Sequence, residues 1–184
     1  EPILRALENR EHVTPTPIQA EIIPHVLEGR DVIGQAQTGT GKTGAFGLPL
    51  IDQLLREPLL AEAHRVRALI LAPTRELASQ IATSLRAFAK KSPLKIGLLV
   101  GGQSINLQAQ KLAKGTDILI ATPGRLMDHM QRKSMSLDDV KYLVLDEADQ
   151  MLDLGFINDL RKIAKALPKQ RQTSMFSATM PKDI

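Results

Sequence analysis

Cysteine is absent from all 184 residues, which excludes disulfides and thiolate metal sites. Tryptophan is absent too, and aromatic residues make up only 3% of the chain. A nucleic-acid surface here would therefore rest on backbone and phosphate contacts more than on base stacking. The four histidines, His12, His25, His64 and His129, are scattered without ligand spacing, so each reads as a surface or boundary residue. No apolar run approaches membrane-spanning length, and the start Glu1-Pro2-Ile3 has no signal-peptide character. The expectation is a cytosolic (cytoplasmic) protein with no membrane partner.

What is present is an ordinary globular composition, 43% apolar and 24% charged, enough for one core in a single domain over residues 1–184. The formal charge of +4 and pI near 9.5 suit a polyanionic partner, although a mildly basic solvated surface gives the same balance.

Short apolar runs alternate with stretches of helical period. The runs are Val32-Ile33-Gly34, Ala68 to Ala72, Ile96 to Val100, Ile118 to Ala121, Tyr142 to Leu145, and a more mixed Thr173 to Phe176. Continuous runs of this length predict strands buried on both faces, as a parallel sheet requires. Between them, Leu77, Ile81, Leu85 and Phe88 share one helical face. Ile105, Leu107 and Leu112 fit a second helix, and Ile157, Leu160, Ile163, Ala164 and Leu167 a third. The alternation predicts an α/β fold with helices on both faces of a mostly parallel sheet. Arg56 to Arg65 reads as a loop, and neither a repeat nor a low-complexity tract interrupts the pattern.

The strongest local signal is Ala36-Gln37-Thr38-Gly39-Thr40-Gly41-Lys42-Thr43, between a strand-like run and an apolar helical pattern. Glycines let successive N–H groups converge on phosphate oxygens, and the helix N-terminus adds partial positive charge. Lys42 would reach the β- and γ-phosphates and the Thr43 hydroxyl would hold Mg²⁺. Ala36 stands where the usual pattern has glycine, and a plain Gly/Thr turn is the bland alternative. A carboxylate must complete such a metal site, and Asp146-Glu147-Ala148-Asp149 follows the run Tyr142 to Leu145. Ligands of open parallel sheets gather at the carboxyl ends of strands. Asp146 is thereby expected beside Thr43 as the Mg²⁺ ligand, with Glu147 polarising the attacking water. Read alone, adjacent acids after a strand are more often a helix cap. The upstream phosphate loop reverses that preference, and the two roles can coexist.

These residues resemble the DEAD-box ATP-dependent RNA helicases, specifically their first, RecA-like P-loop NTPase lobe. The tetrad 146–149 matches the one that names the family. Pro15-Thr16-Pro17-Ile18-Gln19 resembles the Q motif, in which the glutamine reads adenine, and Pro73-Thr74-Arg75-Glu76-Leu77 resembles motif Ia. Gly101-Gly102 is similar to the family's glycine pair, Thr122-Pro123-Gly124-Arg125 to motif Ib, and Ser177-Ala178-Thr179 to motif III, all in family order. The stretches Gly101 to Asn106 and Gln170 to Pro181 look most like a bacterial RhlE-type branch.

The chemistry fits the resemblance. A glutamine amide offers a donor and an acceptor side by side, matching the N6/N7 edge of adenine, so Gln19 would select ATP. Pro73, Thr74, Arg75, Gly101, Gly102, Thr122, Pro123, Gly124 and Arg125 each follow a predicted strand end. They would form one rim for a single-stranded RNA backbone with little sequence preference. Singly, Arg75 and Arg125 read as helix-end surface charges. Ser177 and Thr179 would hydrogen-bond Asp149 and couple the ATP site to the RNA rim, where a simple turn is the alternative.

The family carries a glycine and an aromatic just before the Q-motif core, where this chain has Glu11 and His12. The adenine-stacking aromatic is thus expected before residue 1, and adenine binding is expected to be weak. The resemblance also implies a second RecA-like lobe after Ile184, supplying arginines to the γ-phosphate. The lobe alone, expected to be monomeric, would then bind nucleotide with little turnover. A small-molecule kinase leaves Pro73–Leu77 and Thr122–Arg125 unexplained. A turnover-free binding module is plausible for the lobe alone, but not for a parent with Lys42, Thr43, Asp146 and Glu147 intact.

Overall fold

The computed structural model describes residues 17–35, 41–57 and 59–179. Helix α1 (Pro17–Leu27) leads into β1 (Val32–Gln35), and α2 (Lys42–Arg56) into β2 (Val66–Leu71). Next come α3 (Arg75–Phe88), β3 (Ile96–Leu99), α4 (Ile105–Leu112), β4 (Thr116–Ala121) and α5 (Pro123–Gln131). The described part ends with β5 (Tyr142–Leu145), α6 (Ala148–Asp153), α7 (Ile157–Ala166) and β6 (Gln172–Ser177).

The six strands form one parallel sheet in the order β1-β6-β5-β2-β4-β3. Every residue of β2 and β4 is buried, because strands inside a parallel sheet are covered on both faces. Period-two alternation divides the interior. Ala68, Ile70, Ile118 and Ile120 pack with α1, α2 and α3, whereas Leu69, Leu71, Leu119 and Ala121 pack with α4 to α7. This is the α/β architecture with a parallel sheet that the alternating runs predicted.

Helix starts follow local chemistry. The Thr74 hydroxyl accepts from the Leu77 N–H to cap α3, and Ser104 does the same for Leu107 at α4. Ile33 on β1 is 65% exposed rather than buried on both faces, Ala164 on α7 is exposed, and two further expectations need correction. His129 is fully buried rather than at the surface, because its ring nitrogens meet the Ser134 hydroxyl and the Gln108 amide across two helices. Leu107 is 58% exposed and does not share the buried face of Leu112. The two lie five residues apart, about 140° around a helix.

At the opposite end of the sheet from the strand C-termini, Asp117 is fully buried and paired with Arg67 at 3.0 Å. Its second oxygen takes the Lys95 N–H, and Arg67 continues to Glu57 and the Leu54 carbonyl. Hydrogen-bonded on every side, this pair pins the Arg56–Arg65 loop to β2 and β4 through the Ala61 N–H.

Candidate functional site

All six strands run the same way, so their C-terminal ends form one rim that gathers residues far apart in sequence. Gly41, with φ 80°, turns the chain into α2 in a left-handed conformation that suits glycine. It has no side chain to cap the helix, and the first backbone acceptor bond is Ala45 N–H to Gly41 O. The first N–H groups of α2 are thereby left for an outside acceptor. Ala36, Gln37, Thr38, Gly39 and Thr40 lie outside the described residues, as do Pro15 and Thr16.

Lys42 opens α2 and is only 5% exposed. Its ammonium lies 2.8 Å from Asp146 Oδ1, at the end of β5, and 3.7 Å from Glu147 Oε1. Thr43, the next residue, is half-buried at the same helix start. Residues 104 apart in the chain thus meet in one buried cluster.

Apart from the Lys42 ammonium and the Glu147 backbone N–H, no donor among the described residues reaches the Asp146 carboxylate. Burial pushes the Asp146 carboxyl above the ordinary carboxylate range, and Lys42 offsets this only in part. A buried carboxylate facing the N-terminus of a helix whose second residue is Thr43 fits a hard divalent cation in the presence of phosphates. Glu147 sits at φ 51°, a left-handed conformation that costs a non-glycine residue of order 1–3 kcal/mol. It makes no side-chain cap on α6; the turn instead brings its carboxylate to Lys42.

Asp149 is held differently. Burial raises its carboxyl, but Ser177, Thr179 and the backbone N–H groups of Thr179 and Gln150 outweigh burial and hold it below the usual range. The Thr179 hydroxyl and N–H donate to Asp149 Oδ2 at 3.1 and 3.2 Å. Ser177 Oγ accepts the Asp149 N–H at 3.3 Å.

Further along the rim, Pro73, Arg75, Gly101, Thr122, Gly124 and Arg125 line one open cavity of about 280 Å³ with Asp128 and Phe156. Arg75 Nη1 donates to the Gly101 carbonyl at 3.4 Å, and Arg125 Nη2 donates to the Gln103 carbonyl. Gly102 has φ 79°, and a Cβ there would lie 2.3 Å from Arg75 Nη1. Both arginines thus brace the glycine turn by its carbonyls. The N–H groups of Gly101, Gly102 and Gln103 have no acceptor among the described residues and remain for an anion.

A model of the DEAD/DEAH box helicase family matches residues 16–184. The chain belongs to the DEAD/DEAH box helicase family. The DEAD-box ATP-dependent RNA helicase CshA of Bacillus cereus (strain ATCC 10987 / NRS 248) is 47% identical over 184 residues, which cover 99% of this chain and 34% of that protein. The crystal structure of a DEAD box protein from the hyperthermophile Methanococcus jannaschii matches with a TM-score of 0.89 and 41% identity, over 100% of this chain and 49% of that one. The chain therefore spans about a third of one relative and half of the other.

In this DEAD-box helicase domain Gln19, which the Q-motif resemblance singled out, is joined by Gln35 and Gln108, which shape the site without any local sequence signal. Gln19 donates to the Gly41 carbonyl at 3.1 Å and lies against Gly44, where a Cβ would fall 2.3 Å from its amide nitrogen. Gln35, just before the phosphate loop, donates to the Ala178 carbonyl at 3.1 Å. Gln108 is buried; its amide donates to Val100 O at 3.0 Å, and its Oε1 accepts from Arg125 Nε at 3.0 Å and from His129 Nε2 at 2.9 Å. That arrangement makes His129 the Nε2–H tautomer, with Nδ1 accepting from Ser134.

Proposed function

We propose that this chain is the ATP- and RNA-binding lobe of an ATP-dependent RNA helicase, whose whole protein couples Mg-ATP hydrolysis to local duplex unwinding or RNP remodelling. The observation that carries the reading is the buried 2.8 Å contact between Lys42 at the start of α2 and Asp146 at the end of β5. Lys42 would leave Asp146 for the β- and γ-phosphates, while the α2 N-terminus and residues 36–41 cradle them. Asp146 and the Thr43 hydroxyl would hold Mg²⁺, which when bound neutralises charge on the phosphate oxygens. Glu147, already turned toward this point, would orient and deprotonate the attacking water. Gln19 would read adenine from the mouth of the loop.

RNA would lie along the rim from Pro73 and Thr74 to Arg125, meeting the open N–H groups of the glycine turn and the start of α5 at Thr122, Pro123 and Gly124. None of these contacts reads a base, so affinity should depend on salt and hardly on sequence. Arginines from a second RecA-like lobe of the parent chain would complete the γ-phosphate site. Without them the lobe should bind nucleotide and turn it over very slowly.

Lys42→Ala should lower Mg-nucleotide affinity roughly tenfold or more. Undiminished binding would remove the basis of the reading. RNA crosslinking at Arg75 and Arg125 separates a helicase lobe from a small-molecule kinase, which should give none. Robust RNA-stimulated ATPase from these 184 residues alone would contradict the dependence on a second lobe.

A further inference from the structure

Among the described residues, strand β3 closes one side of the sheet and pairs only with β4. The carbonyls of Lys95 and Leu99 accept from Ile118 and Thr122, so both point into the sheet. Pleat alternation then turns Gly97 inward and directs the N–H and C=O of Ile96 and Leu98 outward. The Ile96 carbonyl is met from outside by Arg86, through a long 3.4 Å contact. A row of backbone donors and acceptors thus faces away from the sheet.

A cavity of about 800 Å³ runs along this edge between α3 and α4. Its floor is apolar, made by Leu98, Leu107, Leu112 and Leu119. Its walls carry Arg86, Lys95, Lys111 and Lys114, and among the described residues no carboxylate lines it. All four cations are exposed, and none has a carboxylate partner within 4.0 Å among the described residues. Asp117, the nearest acid on β4, is fully buried and committed to Arg67.

We propose that this groove docks an extended acidic peptide, which adds to β3 as a further strand and sets its carboxylates against the four cations. Two independent features agree on that occupant. The outward backbone groups suit another polypeptide strand. The unpaired positive walls over an apolar floor suit a segment that alternates acidic and apolar side chains. RNA would satisfy the charges, but the lining holds no aromatic ring on which bases could stack.

The probe is a blocked peptide of about eight residues alternating valine and glutamate, titrated at low salt against this chain by fluorescence anisotropy. Binding should weaken roughly tenfold or more in Lys111→Glu/Lys114→Glu and again when Arg86→Glu is added. Because these side chains are exposed, the variants should melt as the parent does. Bound peptide should slow amide exchange at Ile96 and Leu98, and N-methylation at alternate peptide residues should abolish both effects. The proposal is overturned if the peptide does not bind, in which case the lysines only guard the edge. It is equally overturned if binding survives charge reversal, or if oligouridylate rather than the peptide protects Ile96 and Leu98.

Discussion

Gly44 and Gly47 lie one turn apart on α2, and an alanine at each would meet a different obstacle. Either substitution gains about 1 kcal/mol of helix propensity. At position 44 the new methyl falls 2.3 Å from Gln19 Nε2 and 3.2 Å from its Cδ. That side chain is long and only half-buried, so it can swing away, losing the bond to Gly41 O. A hydrogen bond of this kind contributes about 0.5–1.5 kcal/mol net, so the two terms cancel and folding stability hardly changes. At position 47 the methyl falls 2.4 Å from Leu85 Cδ2, inside a core where Leu85 is fully buried. Overpacking costs about 1–3 kcal/mol, leaving a net loss of up to about 2 kcal/mol, or roughly 4–8 °C for a domain of this size. Function should follow the opposite order. Gly44→Ala removes Gln19 from the mouth of the phosphate loop, so the preference for ATP over GTP should fall roughly tenfold, equivalent to about 1.4 kcal/mol. Gly47→Ala should leave that preference intact. Differential scanning fluorimetry and titration with fluorescent ATP and GTP analogues read the two effects separately. An unaltered preference in Gly44→Ala, or a melting loss as large as that of Gly47→Ala, would refute the assignment of Gln19.

Asp146→Asn tests the electrostatics of the cluster. Because burial raises the Asp146 pKa in the fold, its ionised form costs stability above that raised value, and the cost fades as pH falls through it. The neutral amide should therefore leave the melting temperature at pH 7 unchanged or raise it by ~2–4 °C (about 1 kcal/mol), while Mg-nucleotide binding is lost. A clear destabilisation would show that the Lys42 contact outweighs burial. Gln108→Ala strands Arg125 Nε, the His129 ring and the Val100 carbonyl, at about 1–3 kcal/mol for each group left dry. RNA affinity should drop while nucleotide affinity at the far end of the rim holds; equal loss of both would mean general unfolding. His129 is depressed by burial and then by Arg125 and Arg132, so its stabilising neutral form is fully present above its unfolded value of 6.5. That contribution is lost as pH falls from 6.5 through the lower folded value, so the melting temperature should decline over that window. His129→Asn should flatten the decline, and an unchanged profile would assign it to other groups.

The central strands could be located in advance because β2 and β4 are buried on both faces, which forces continuous apolar runs such as Ala68 to Ala72; their order in the sheet was not read. That Asp146 would come to the phosphate-loop end of α2 was legible for a related reason: a phosphate loop needs a carboxylate, and a parallel sheet supplies one at a strand end. Its direct contact with Lys42 was not read, because Lys42 was assigned to the phosphates. His129 was misread because a lone histidine at a helix end looks the same whether it faces water or a glutamine on the next helix. Arg67 and Asp117 stand just before the apolar runs that start at Ala68 and Ile118, and only their meeting across β2 and β4 turns two charges into a buried pair. Leu107 fitted a helical period loosely, and nothing local told that it would line the open groove beside β3 rather than the core. These cases share one cause. Period and propensity act over a few residues, whereas a satisfied polar network is decided by elements tens of residues apart.

The short turn after β6 lies where these long-range contacts matter most. Thr179 grips Asp149, three residues beyond the Asp146 that meets Lys42, while the Ala178 carbonyl takes the side chain of Gln35, the last residue before the phosphate loop. The turn is thus tied on one side to the acidic tetrad and on the other to the strand that carries the loop. The two ties differ in strength. Asp149 accepts the Thr179 hydroxyl and two N–H groups as a charged, buried acceptor, and hydrogen bonds to charged groups contribute about 1.5–3 kcal/mol. The Gln35 contact is a single exposed amide bond. If the phosphate loop rearranges around nucleotide, the weaker tie yields first, and the turn stays with the acidic tetrad.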